Sequence, residues 1–447
     1  MPADAKSLGV WAGIGLVIAN MIGAGVFLST GFMAQDLGPG TILLAWLAGG
    51  VVALSGTKAY AAVIKAVPRS GGEYRLLSEL IHPMVGYAAG WASLLVGFSA
   101  PVALDALAAG SFAQTLWPSV DARWLGAGLI AALAFLHALG LGFSHWTQNL
   151  LVLVKVTLVL AFTAVGLIAG MHAWPAWQPA NPGQSFTSPA FVQGLFFIAF
   201  AFSGWNAAVY VADEFREPRK TVPRAMLSAC GAVVVLYLLM NWVFVANLTP
   251  QQASAVFVYE SKRVTLGHLI MKELIGDVGA KAMSMMAIAL FVSAMSAMIF
   301  AGPRIYAAMA SDGFLPRVFA AKKNFTPAAS TLLQGALSII LIFTHPVQQV
   351  LQNIGAVLTL FTALTALTVF RLRRERAGTI RASRLDLLAA FVYVTSAAWM
   401  LYVGLRHSPS LVGWIAVLLC ISAAAYAVSP RRPAARSREQ GSAVDRK

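Results

Sequence analysis

Twelve apolar stretches leave this chain few folds to choose from, since about 20 such residues carry an α-helix across a bilayer. They run near 8–33, 40–66, 83–116, 122–143, 147–171, 190–212, 223–247, 279–303, 328–344, 347–370, 386–405 and 410–428. Water is absent from the hydrocarbon region, so each stretch must satisfy its backbone internally, and a bundle of spanning helices is the expected result. Only 11% of the 447 residues are charged, where a soluble domain carries roughly a quarter. The longest interval between spans, 248–278, is too short for a separate soluble domain. Residues 1–428 are therefore expected to form a single all-α transmembrane domain, followed by a polar, disordered cytoplasmic tail over 429–447.

The net charge of +15 does not point to nucleic acid, because the basic residues lie between apolar spans and not on a mixed polar surface. Twenty-four of them fall in one alternating set of loops and the tail, among them Lys65, Arg69, Arg219, Lys220, Arg317 and Arg373. Six fall in the other set: Arg123, Lys262, Arg263, Lys272, Lys281 and Arg406. Lys and Arg are retained on the cytoplasmic side. Both termini are expected there, in an integral protein of the cell (plasma or inner) membrane, with the tail arginines holding topology or touching anionic lipid. The N-terminus MPADAKSLGVW lacks the pattern of a cleaved signal peptide. Cys230 and Cys420 sit in different spans, so no disulfide framework is expected. No nucleophile–base pair or metal-ligand cluster occurs in the spans, and neither an enzyme nor a cofactor is expected.

The first span contains NMIGAGVFLSTGF, which gathers Gly23, Ala24 and Gly25 where a spanning helix should be most regular. Small residues of this kind suit close helix packing. They also suit a helix break, whose freed amides and carbonyls bind charged groups in transporters. The sixth span repeats the feature in FFIAFAFSGWNAAVYVADE, with Ser203, Gly204 and Trp205 at its middle. Paired interruptions five helices apart indicate two inverted halves meeting at a midplane site, near 8–171 and 190–370, with extra helices over 386–428. Amides near Gly23 to Val26 suit a carboxylate, and carbonyls near Ile22 and Phe200 to Phe202 suit an ammonium, the charge pattern of an α-amino acid. Phe200 and Trp205 are placed to close over such a molecule, whereas Phe202 is expected to pack.

GAGVF resembles the first-helix signature of the amino acid, polyamine and organocation transporter superfamily, and FAFSGWN resembles the sixth-helix motif of its L-type amino-acid transporter branch. VPRSGGEY (Val67 to Tyr74), DEFREPRKTVPRA (Asp213 to Ala225) and PRIYAAMASDGFLP (Pro303 to Pro316) match family segments in order and spacing. The resemblance implies a LeuT-like fold of two inverted five-helix repeats plus two helices, and secondary transport of amino acids or close amine relatives. It places Ile22, Gly23, Ala24, Gly25 and Val26 around the substrate carboxylate, and Phe200, Ala201, Ser203 and Asn206 at the amine contacts and gate. Ala24 stands where relatives commonly carry serine, so one hydroxyl contact is missing. A membrane sensor of amino acids on the same fold, or a transporter of another small solute, are the alternatives. An accessory subunit and the identity of the amino acid are not legible.

Lys155 lies inside QNLLVLVKVTLVL and is the most costly residue in the chain, since an ionisable group in a span needs a partner or water. It can snorkel to an interface or bind carbonyls freed at the first break. The resemblance implies the second role, with the ammonium substituting for the sodium ion of sodium-coupled relatives; proton symport and exchange both stay open. Ser293 and Ser296, spaced i, i+3, share a helix face and are coupling candidates beside it. Glu73, Glu214 and Glu217 are expected to pair with loop arginines. Asp105 is expected to pair with Lys58 or face a vestibule, and His137 to be a hydrogen-bonded packing residue.

Overall fold

The structure, a computed structural model, describes residues 8–140, 145–171, 173–181, 183–320, 327–372 and 381–428. The expected tail over 429–447, and Lys6, Lys322, Lys323, Arg373, Arg374 and Arg376, lie outside them. Among the described residues the chain is helical throughout apart from turns and one isolated bridge between Leu8 and Phe215. Nine helical segments among the described residues are long and apolar enough to cross a membrane, and three shorter apolar helices accompany them. The protein is an all-α polytopic membrane protein.

The first span is two helices, α1 (Val10–Met21) and α2 (Ala24–Met33). There follow α3 (Pro39–Ala66), α4 (Gly72–Leu80), α5 (Pro83–Ala92), α6 (Ser99–Leu116), α7 (Ala122–Ala138) and α8 (His145–Ala169). A π-helical turn, Ser93–Phe98, joins α5 to α6 within the third span. The sixth span is α9 (Pro189–Ala201) and the four-residue α10 (Ala207–Tyr210), and α11 (Pro218–Ala246) is the seventh. The interval 248–278, expected as a loop, is instead mostly helical. It holds α12 (Pro250–Val258), α13 (Glu260–Val264) and the start of α14 (Leu266–Ser311), which bends at Gly276. Thr249 begins α12 with a reciprocal capping box to Gln252, a local signal overshadowed by the polar composition around it. The remaining helices are α15 (Ala328–Thr344), α16 (Val347–Leu372), α17 (Arg384–His407) and α18 (Pro409–Val428).

Burial grades the helices from centre to rim. The third span is 89% buried over its most apolar window, whereas α18 is only 17% buried and lies at the rim. Every residue of α2 is buried, and α2 packs on α9 while α1 packs on α11, α10, α14 and α8. The two interrupted spans therefore lie at the centre of the bundle. Cys230 is buried and Cys420 is exposed, both as free thiols.

Candidate substrate site at the broken helices

The first span leaves helical geometry at Ile22 (φ −79°, ψ 101°) and Gly23 (φ −146°, ψ −158°), and Ala24 and Gly25 already belong to the second half-helix. A break inside a membrane strands polar backbone groups, each costing several kcal/mol if left unpaired. Three side chains from other spans meet them. The Lys155 ammonium of α8 donates to the carbonyls of Ala19 (3.0 Å) and Ile22 (2.7 Å). The Tyr237 hydroxyl of α11 donates to Met21 O (2.8 Å). At the other half-helix, the amide of Ala24 donates to Asp105 Oδ1 of α6 at 2.8 Å. Lys155 is 2% and Asp105 1% exposed, so neither snorkels. Opposite charges thus bracket the break, a cation at the C-terminal end of α1 and an anion at the N-terminal end of α2, each matching the local helix dipole.

Two sequence expectations change here. Asp105 does not pair with Lys58, whose ammonium lies 3.0 Å from Asp386 near the start of α17. The amide of Ala24 and the carbonyl of Ile22, expected to be open to cargo, are held by protein side chains. The space beside Gly25 is also occupied: a methyl group there would stand 2.5 Å from Ala201 Cα. Gly25 thus serves close packing of α2 on α9, and Ile22, Ala24 and Val26 are fully enclosed.

The sixth span unwinds over Phe202 to Asn206, with Gly204 at φ +99°. A side chain at Gly204 would lie 2.7 Å from the backbone carbonyl of Asn20, so the two interruptions touch directly. The carbonyl of Phe200, expected to face an ammonium, accepts from the amide of Ser203 at 2.8 Å. Phe200 is buried on α9 and is not among the residues lining the cavity beside the break. That cavity is lined by Asn20, Ser203, Gly204, Trp205, Asn206 and Tyr210 from the broken spans, with Ser93, Gly97 and Phe98 of the π-helical turn and Glu73 of α4. Trp205 stands edge-on to Tyr60 with ring centroids 4.7 Å apart. Phe202 packs on Tyr237 (5.2 Å) and Trp46 (5.8 Å).

Glu73, expected to pair with arginines, takes three neutral donors instead. It is 5% exposed and accepts from the hydroxyls of Tyr60 (2.9 Å) and Tyr210 (2.8 Å) and from the amide of Asn206. The two glycines before it explain the motif. Gly71 and Gly72 have φ of 119° and 58°, and the Tyr210 ring fills the place of a Gly72 side chain, so VPRSGGEY wraps the end of the sixth span. The next residues reach the third motif: Tyr74 donates to Asp312 at 2.6 Å and Arg75 lies 3.5 Å from the same carboxylate. The segment after the sixth span closes the group, through Ser70 and Asp213, which exchange backbone-to-side-chain bonds. Glu217 pairs with Lys220 at 2.8 Å, which holds its carboxyl below the usual range, and Glu214 offers its backbone carbonyl to Leu8.

Ser296 does not join Lys155. Its hydroxyl lies 2.9 Å from His137 Nε2 on α7, which takes it out of the expected coupling set and makes His137 a hydrogen-bonded packing residue. Ser293 is half-buried on α14. Tyr237 and Tyr60 were missed by sequence reasoning because a tyrosine in a span carries no charge to flag it. The Asn206–Tyr210 pair, at 3.2 Å, was findable from its i, i+4 spacing.

On the other side of the break, α13 lies over α2. A side chain at Gly31 would meet the carbonyl of Arg263, and the Arg263 guanidinium is hydrogen-bonded to Gln35. Beneath that cover, Thr30 is bonded to Asn241 and receives the Trp46 indole N–H at 3.0 Å. The interrupted spans are thus sealed towards α13 and bordered by a cavity towards Glu73.

Comparison with known proteins agrees with this architecture. The family model for amino acid permeases matches residues 8–438. The chain is 26% identical to the large neutral amino acids transporter small subunit 2 of Rattus norvegicus, over 91% of this chain and 78% of that protein. It is 24% identical to the b(0,+)-type amino acid transporter 1 of Mus musculus, covering 93% and 86% respectively. With the Asc-type amino acid transporter 1 of Mus musculus the identity is 23%, over 91% and 78%. Two broken helices in contact at the centre of a polytopic bundle and a family match over nearly the whole chain lead to one conclusion: this protein belongs to the amino acid permease family.

Proposed function

We propose that the protein moves amino acids or close amine relatives across the cell membrane by alternating access, without sodium. The observation that carries this is the contact between the two interruptions, Gly204 against Asn20 and Ala201 against Gly25, with a buried ammonium on the carbonyls of the first break. Carriers place cargo at such breaks because half-helix ends offer both polarities without a folding change. The names of the relatives, all amino acid transporters, support the cargo class.

In this reading residues 8–171 and 190–370 are the two repeats and 386–428 the added helices. The strong excess of Lys and Arg in one set of loops puts both termini, and the Glu73 cavity, on the cytoplasmic side. The conformation is then closed outside by α13 and reaches towards the inside. Cargo contacts with Ile22 to Val26, Ala201 and Ser203 form when α2 and α9 part, with Phe200 and Trp205 as gates on either side of the cargo. Lys155 holds the place of a coupling cation, and Ser293 of α14 is the remaining coupling candidate. Purified protein in liposomes, loaded with unlabelled cargo and offered a panel of labelled amino acids and amines, is expected to accumulate at least one class. Flux of none of them, from protein that is folded and inserted, would overturn the reading.

A further inference from the structure

The site uses only part of the segment PRIYAAMASDGFLP. Asp312 holds Tyr74 and Arg75, but Phe314 and the following Arg317 border a separate cavity of about 770 Å³, between α5, the end of α14, α15 and the rim helix α18. Tyr87 and Trp91 of α5, Leu333 and Leu337 of α15 and Ala425 of α18 complete its walls, and Phe314 stacks on Tyr426 with ring centroids 6.1 Å apart. The volume is that of a small-molecule site. Its lining is dominated by apolar and aromatic side chains, and among the described residues Arg317 is the one charged group in it.

Depth and charge together name the occupant. Arg317 lies in the short turn Arg317–Phe319, which the Ser330 hydroxyl ties to the first turn of α15 by donating to Phe319 O at 3.0 Å. From Ala328 to Leu337, α15 rises about 14 Å, close to the depth of one leaflet, about 15 Å or half of the hydrocarbon core. Leu333 and Leu337, spaced i, i+4, line that depth from one helix face. The loop charges put the Arg317 end on the cytoplasmic side. Arg317 is exposed and makes no ion pair or side-chain hydrogen bond with a described residue, and Val318 beside it is 67% exposed. An unpaired guanidinium above an apolar slot matches an anionic headgroup above its acyl chain.

We propose that this cavity binds one anionic phospholipid of the cytoplasmic leaflet, with an acyl chain along Leu333 and Leu337 and the phosphate headgroup on Arg317. The site is separate from the broken helices and does not depend on what the protein carries. Native mass spectrometry of the full chain, delipidated in detergent and given an equimolar amount of phosphatidylglycerol or of phosphatidylcholine with the same acyl chains, reads the first bound lipid directly. Phosphatidylglycerol is expected to bind at least about fivefold more tightly, with Arg317→Gln erasing the difference and Leu337→Trp, which fills the slot, weakening both lipids by as much. Arg317 is exposed, so its variant tests the headgroup contact whether or not Leu337→Trp folds. Equal binding of the two lipids, or a preference that survives Arg317→Gln, would overturn the proposal. So would two other outcomes: glycerol phosphate binding as tightly as the lipid, which marks a free-phosphate site, or a dimer mass lost in Leu337→Trp, which marks a second copy seated in the slot.

Discussion

Gly204 is the residue on which the contact between the two breaks turns. Its φ of +99° is costly for any other residue, and its Cα faces the Asn20 carbonyl so closely that a Cβ would stand 2.7 Å away. Gly204→Ala is expected to destabilise the protein by about 1–3 kcal/mol from backbone strain alone, read as a lower Tm in detergent, and to impair transport. Gly231→Ala, in open space inside α11, is the control and should leave Tm unchanged or raise it slightly. Equal Tm values for both variants would show that the breaks do not depend on this contact. Charged residues in spans were legible at this scale to different degrees. Lys155 declared itself, since a lone ammonium at depth must find an acceptor and a broken helix supplies carbonyls. Asp105 was legible as an anomaly but its partner was not, because a backbone amide has no sequence signature. Ser296 misled through helical spacing alone: i, i+3 gives a shared face but does not say which neighbour it meets.

Among the elements, both interruptions were readable because glycine clusters in otherwise regular apolar runs have few explanations. Their registers were less so. The first break falls at Ile22 and Gly23, leaving Gly25 free to pack against Ala201, and a pattern of small residues does not separate a break from a close crossing. The π-helical turn at Ser93–Phe98 left no mark in an all-apolar stretch, yet it lines the cavity. α4 and α13 were missed because, at nine and five residues, they are too short for a helical period to stand out from a polar loop. The role of VPRSGGEY is set by tertiary contact: two glycines with positive φ allow Tyr210 to approach, and Glu73 then collects hydroxyl and amide donors from two different spans.

For the molecule as a whole, the all-α bundle of apolar helices followed from length and hydropathy, nine of them long enough to cross a membrane and three shorter among the described residues, because a bilayer leaves the backbone little freedom. Their arrangement did not, since which helix becomes central depends on contacts far apart in sequence. The proposed orientation predicts that an impermeant maleimide applied to intact cells labels Lys272→Cys and spares Lys220→Cys, two exposed positions on opposite faces. The reverse pattern would invert the alternating-access scheme. The central claim is that Lys155 stands in for a coupling cation at the first break. Two carbonyl bonds to an ammonium are worth about 1.5–3 kcal/mol each, enough that their loss shifts a balance between inward and outward states by at least about tenfold. The decisive measurement is flux of the identified cargo into proteoliposomes with sodium replaced by choline, for unaltered protein and Lys155→Ala side by side. The account predicts that the replacement leaves unaltered flux intact while Lys155→Ala lowers it at least about tenfold in either salt; sodium-dependent flux in the unaltered protein, or normal flux in the variant, would contradict it.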